Sequence, residues 1–144
     1  YDAFLTHDWG EDGANHEVVS SVNARLRRAD KVTWFDEDRL SGDIVLQITQ
    51  GIENSRKVVV FITERYMGKL QAGGNDFCKD EFMTAVRIHT PAKMIAVVLE
   101  PAMLDTSLWR GPLQFRLGGH LYIDFTTPAK RQENFSVLLD RINA

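Results

Sequence analysis

The sequence has a single cysteine, Cys78, among 144 residues. One thiol excludes a disulfide framework and a cysteine-based zinc site, and it favours a reducing, cytoplasmic setting. No apolar run reaches membrane-spanning length and no secretory leader pattern is visible, so no membrane segment is expected. Nor is there an excess of cations. The 17 Lys+Arg are outnumbered by 20 Asp+Glu, for a net charge of −3, which gives no electrostatic case for a nucleic-acid partner. The cluster Arg25, Arg27 and Arg28 reads as the solvated end of a helix. His7, His16, His89 and His120 are too scattered to suggest a metal site, and no cofactor is expected.

Hydrophobic residues make up 44% and charged residues 26% of the chain, which suits one soluble domain with a genuine core. Tyr1 already lies inside a strand-like run, an abrupt start that leads us to expect a single domain, residues 1–144, excised from a longer protein. Short apolar runs alternate with helical periodicity. Tyr1 to Thr6 reads as a strand, followed by a polar loop from His7 to Ala14 with Asn15 as a helix cap. Val18, Val19, Val22, Leu26 and Ala29 then recur at helical spacing. Val32 to Phe35 is a second strand, and Ile44, Ile48 and Ile52 face inward from a second helix. Val58 to Thr63 is the longest apolar run and reads as a central parallel strand. Residues 64–75, with Gly68, Gly73 and Gly74, read as a loop, and a third helix carries Phe77, Phe82, Ala85 and Val86 inward. Met94 to Leu99 is a fourth strand, and residues 102–119 read as irregular with a short helix near Leu104–Trp109. Leu121 to Ile123 is a fifth strand, and Thr127-Pro128 opens a final helix.

This alternation predicts an α/β flavodoxin-like three-layer fold, with a five-stranded parallel sheet in the order 2-1-3-4-5 and helices on both faces. The crevice between the first and third strands is then lined by the His7–Ala14 loop, residues 64–75 and the start of the third helix. Glu81 lies in that neighbourhood. A carboxylate there does chemistry if it faces the crevice, and merely complements a helix N-terminus if it faces water. The usual occupants of such a fold are excluded. A receiver domain needs acids at the ends of strands one and three and a lysine after strand five, but Ile62-Thr63-Glu64 and Ile123-Asp124 do not supply them. The acidic run His7-Asp8-Trp9-Gly10-Glu11-Asp12 would repel a flavin phosphate. Neither G-x-G-x-x-G, G-x-x-x-x-G-K-[ST] nor G-x-S-x-G occurs.

Three segments in order resemble the Toll/interleukin-1 receptor (TIR) domain family. Tyr1-Asp2-Ala3-Phe4-Leu5-Thr6-His7 is similar to its first box. Asp36 through Ser55, with Leu40-Ser41-Gly42-Asp43-Ile44 and Gly51-Ile52-Glu53-Asn54-Ser55, resembles its second box with the BB loop. Lys57 to Tyr66 followed by Phe77-Cys78-Lys79-Asp80-Glu81-Phe82 resembles the third strand and the W-C-L-x-E-L segment of plant members. Asp80-Glu81-Phe82-Met83-Thr84-Ala85-Val86 also matches the K-E-[IV]-x-T-A-[LV] pattern of an animal member. The similarity covers essentially the whole chain and is closer to the plant and bacterial type than to receptor adaptors, since Gly42 stands where those carry proline.

Some TIR domains are scaffolds that signal by TIR–TIR contact, and others cleave NAD⁺ to nicotinamide and linear or cyclic ADP-ribose in immune or cell-death signalling. The resemblance implies NAD⁺ as substrate, Glu81 as catalytic residue and self-association as the activating event. It implies substrate contacts from His7, Asp8, Trp9, Asp36, Ser41, Gly42 and Cys78. An arginine pair of the animal enzyme is replaced here by Asp8 and Trp9, and the family's third-box Phe-Trp pair by the region of Ile123-Asp124-Phe125. Cys78 also reads as a small buried residue, and Trp34 as a core or strand-edge aromatic. A non-enzymatic adaptor and a nucleotide-binding sensor are the alternatives.

Overall fold

The computed structural model describes residues 1–35, 42–72 and 77–144. Strands β1 (Ala3–Thr6), β3 (Lys57–Ile62) and β4 (Met94–Val98) form the centre of one sheet, flanked by the two-residue strands β2 (Thr33–Trp34) and β5 (Ile123–Asp124). All pairings are parallel and the order is β2-β1-β3-β4-β5, as the alternation of elements predicts. In β3 and β4 every residue but Lys57 is buried, because helices cover both faces of the sheet and leave no wet side to call for polar alternation.

Successive strand residues point to opposite faces, and that parity sorts the core into two layers. Ala3, Leu5, Val59, Phe61, Ile95 and Val97 pack with Val19, Leu26, Leu138 and Ile142, which belong to helices α1 (Ala14–Arg28) and α6 (Pro128–Asn143). Phe4, Val58, Val60, Ile62, Ala96 and Val98 pack on the other side with Ile52, Tyr66, Phe82 and Leu113. These come from α2 (Ile44–Glu53), α3 (Glu64–Ala72), α4 (Cys78–His89) and α5 (Gly111–Leu117). Thr6 shares the parity of Phe4, so its hydroxyl enters the second layer.

The structure corrects the sequence reading in four places. Residues 64–72 are helical; Tyr66 and Leu70 are buried four residues apart, and the third expected helix is therefore α4. The stretch 102–119 contains two 3₁₀ turns, Pro101–Leu104 and Thr106–Leu108, and then α5 with Pro112 in its first turn, where a missing N–H costs nothing. Asn15 does not cap α1, which begins after Gly13 in a left-handed conformation with no side-chain cap. Its side chain instead packs against Gly10, where φ is +79° and an added Cβ would fall 2.7 Å from Asn15 Nδ2. Strand β2 spans only Thr33–Trp34, shorter than the Val32 to Phe35 strand expected. Trp34 itself stacks on Phe4 at 4.5 Å and lies over Gly51, whose lack of a side chain makes room for the indole. The Thr127 cap expected for α6 is present, with the Thr127 hydroxyl accepting from Lys130 N–H at 3.1 Å.

Candidate active site

The site begins with the apolar stripe of α4. Cys78, Phe82 and Ala85 are buried at the spacing of one helical face, which fixes the rotation of the helix against β1 and β3. Glu81, one residue before Phe82, therefore lies at the margin of that stripe and is half-buried, while Asp80 is exposed. Thr6, the last residue of β1, donates its hydroxyl hydrogen to Glu81 Oε1 at 2.7 Å. Tyr66 Oη lies 3.0 Å from Thr6 Oγ1. Because the one proton of Thr6 goes to the carboxylate, Tyr66 is the donor in that second bond. Thr6 and Tyr66 are completely buried, so the chain Tyr66–Thr6–Glu81 links the sheet, α3 and α4 at the C-terminal edge of the strands. Ligands bind at that edge in open α/β sheets.

Two residues on, Asp8 forms a second polar cluster. Its carboxylate is buried and accepts from Gly10 N–H at 2.8 Å, from Arg65 Nε at 3.0 Å and from Lys69 Nζ. Burial pushes its pKa up, but the hydrogen bond and charge of Lys69, the Gly10 N–H and the charge of Arg65 outweigh that and hold it below the ordinary aspartate value. Arg65 and Lys69 stand four residues apart on α3 and so share one side of it.

An aromatic stack completes the rim. His7 Nε2 and His16 Nδ1 are 2.8 Å apart, and Trp9 lies face to face with the His16 ring at a centroid distance of 3.7 Å. Phe35 stacks near both histidines, at 5.4 Å and 5.2 Å. Burial first, and then the positive charge His16 would carry, lower the His7 pKa to about 3 in spite of Asp8, so His7 is neutral at physiological pH. Trp9 is 42% exposed, leaving part of the indole accessible at the mouth of the crevice. Cys78 lies beneath this loop, buried, with its thiol donating to the His7 carbonyl at 3.4 Å.

Comparison with known proteins agrees with the fold. A family model described as TIR domain matches residues 4–139. The chain belongs to the TIR domain family. The TIR domain of the Toll-related receptor TRR-2 from Hydra magnipapillata superposes with a TM-score of 0.68 at 16% identity, covering 100% of this chain and 99% of that one, a likeness of fold. No curated protein matches the sequence significantly.

Within this TIR domain the structure gathers His7, Asp8, Trp9, Cys78 and Glu81 around the end of β1. Gly42 precedes Asp43, the cap of α2, and is exposed with φ of +78°. Asp36 and Ser41 lie outside the described residues. Among the described residues there is no cluster of His, Cys, Asp and Glu suited to a metal ion, and no helix is long and apolar enough to cross a membrane. An open cavity of about 510 Å³ lined by Asp80, Met83, Thr84, Val86, Arg87 and Arg116 borders a different face of α4 from the one that carries the Thr6 bond. Sequence reading missed Thr6, Tyr66, Arg65, Lys69 and His16 as site residues. Strand parity was the signal for Thr6. The i, i+4 pair Arg65/Lys69 was legible only once residues 64–72 are known to be helical.

Proposed function

We propose that this TIR domain cleaves the N-glycosidic bond of NAD⁺, with Glu81 as the catalytic carboxylate. The observation that carries this reading is the 2.7 Å hydrogen bond from buried Thr6 to Glu81. It turns a first-turn glutamate away from the role of a solvated helix acid and fixes it at the end of the sheet. The Tyr66 hydroxyl behind Thr6 restrains the donor in turn, so the carboxylate is oriented before substrate arrives.

The chemistry suits one carboxylate. As the bond between ribose C1′ and the pyridinium nitrogen breaks, its electron pair passes to that nitrogen and nicotinamide departs neutral, with no proton required. Positive charge builds on C1′ and the ring oxygen. Glu81 stabilises that charge electrostatically and accepts hydrogen bonds from the ribose hydroxyls. Water then adds to C1′ and loses a proton, giving ADP-ribose; attack by a nitrogen of the adenine in place of water gives a cyclic product. A glycosidase with a poorer leaving group needs a second carboxyl as general acid. The exposed portion of Trp9, backed by His16, offers an aromatic surface for a flat ring.

Self-association accompanies this reading, and a purely scaffolding TIR domain is the second one. Val45 and Leu46, 61% and 50% exposed, follow Gly42 on α2 and form an apolar surface suited to contact with another TIR domain, in an immune or cell-death signalling role. Artificially clustered protein incubated with NAD⁺ separates the two. Nicotinamide release that is lost in Glu81→Ala supports the enzyme. No release at any degree of clustering supports the scaffold.

A further inference from the structure

The cavity of about 510 Å³ bounded by α4 and by Arg116 of α5 plays no part in the crevice at the end of β1. Its wall on α4 is one helical face, because Asp80, Met83, Thr84 and Arg87 follow the spacing i, i+3, i+4, i+7. Arg87 lies in the last turn of α4 and Arg116 in the last turn of α5, where the partial negative charge of a helix C-terminus favours a cation. Arg27 and Arg28 stand in the same way at the end of α1. Helix ends therefore account for each arginine alone, but not for two guanidiniums on one cavity. His120, one turn beyond Arg116, donates from Nε2 to the Pro91 carbonyl at 2.8 Å. Pro91 follows closely on the end of α4, so this bond ties the final turns of the two helices together.

Among the described residues neither Arg87 nor Arg116 makes a hydrogen bond or an ion pair. Arg116 lies over the Phe115 ring at 5.0 Å, a contact that uses none of its N–H donors. Asp80 is the one acid of the lining. It stands two turns before Arg87, about 10.5 Å along the helix axis, and no ion pair joins them. Two guanidiniums without a counter-charge call for an anion, and their forked N–H donors suit a phosphate or a carboxylate. Beside them the wall is apolar, with Met83, 38% exposed, and Val86. The volume is that of a small-molecule site, so an inorganic ion would leave most of it unfilled.

We propose that this cavity binds a small organic anion, with its phosphate or carboxylate group against Arg87 and Arg116 and its apolar body over Met83 and Val86. The site is independent of the NAD⁺-cleaving reading. It lies on the helix that carries Glu81 but uses other side chains.

Phenyl phosphate and benzoate present the two head groups on one apolar body, and inorganic phosphate and benzyl alcohol present the halves. Calorimetry reads their affinity for the full chain, and the methyl resonance of Met83 reads where they bind. At least one of the two organic anions is expected to bind and to shift that resonance, and the tighter of them identifies the head group. Inorganic phosphate and benzyl alcohol bind about tenfold more weakly or worse. In R87Q/R116Q the affinity for the organic anion falls about tenfold or more. R27Q/R28Q, which removes the same charge from the end of α1, leaves it within about twofold. All four arginines are exposed, so both double variants are expected to keep the wild-type melting curve; should R87Q/R116Q fail to fold, R87Q alone decides. No shift of the Met83 methyl with either organic anion at millimolar concentration would overturn the site. Inorganic phosphate binding as tightly as phenyl phosphate would also overturn it, since the apolar wall would then contribute nothing. Equal loss in R27Q/R28Q and R87Q/R116Q would do the same, because the effect would be one of net charge.

Discussion

Thr6 and Glu81, 75 residues apart in the chain, are joined by a 2.7 Å hydrogen bond in which the last residue of β1 orients the carboxylate of α4. Strand parity aims the hydroxyl, and the Cys78–Phe82–Ala85 stripe sets the rotation that presents the acid to it. Thr6→Val keeps the shape and removes the donor. We expect kcat for nicotinamide release to fall about tenfold or more and folding stability by about 1–2 kcal/mol, with Thr6→Ser retaining most activity. Chemical denaturation and steady-state kinetics on the two variants check this.

Tyr66→Phe removes the outer hydroxyl of the chain. Thr6 then keeps Glu81 but loses its own restraint, so the expected loss of stability is about 1 kcal/mol and the fall in kcat is smaller than in Thr6→Val. A larger effect in Tyr66→Phe than in Thr6→Val would mean that the tyrosine acts independently of the threonine.

His7 predicts a pH dependence of folding. Its pKa is about 3 in the folded protein against an ordinary 6.5. Between those values the unfolded chain binds a proton that the folded chain does not, so stability falls as pH is lowered from about 6.5 toward 3. The contribution is about 1.4 kcal/mol per pH unit within that window. Asp8 adds in the same direction at lower pH, since its depressed pKa gives stability that is lost as pH falls through the folded value. In His7→Gln the slope of unfolding free energy against pH between 6 and 4 flattens by about one proton's worth, measured by urea titration at each pH.

Gly51 predicts a packing defect. A Cβ there would lie 2.7 Å from Trp34 Nε1, so Gly51→Ala must displace the indole from its stack on Phe4. The expected cost is about 1–3 kcal/mol, visible as a lowered thermal midpoint and a changed Trp34 fluorescence, and eased in a Trp34→Leu background.

The fold was legible because its evidence is local. Apolar runs such as Val58 to Phe61 and Met94 to Val98 mark central strands, helical periodicity fills the gaps, and parallel connections then allow few orders. Helix α3 was hidden by Gly68 and by a polar sequence whose only buried residues are Tyr66 and Leu70. Helix α5 was hidden by Gly111-Pro112, which reads as a break although proline fits a first turn. The place of Glu81 beside the end of β1 was legible through its motif. The meaning of Asp8 was not: local sequence shows an acidic loop, whereas its partners Arg65 and Lys69 arrive from a helix 57 and 61 residues away. Long-range charge pairing of this kind leaves no periodic trace in the chain.

The most direct test of the central claim compares nicotinamide release from NAD⁺ by clustered wild-type protein and by Glu81→Gln, an isosteric change that removes only the charge. Wild type is expected to release nicotinamide at a rate that rises with clustering, and Glu81→Gln at a rate at least about 100-fold lower with an unchanged melting curve. A Glu81→Gln protein that folds normally and turns over as fast as wild type would contradict the assignment of Glu81.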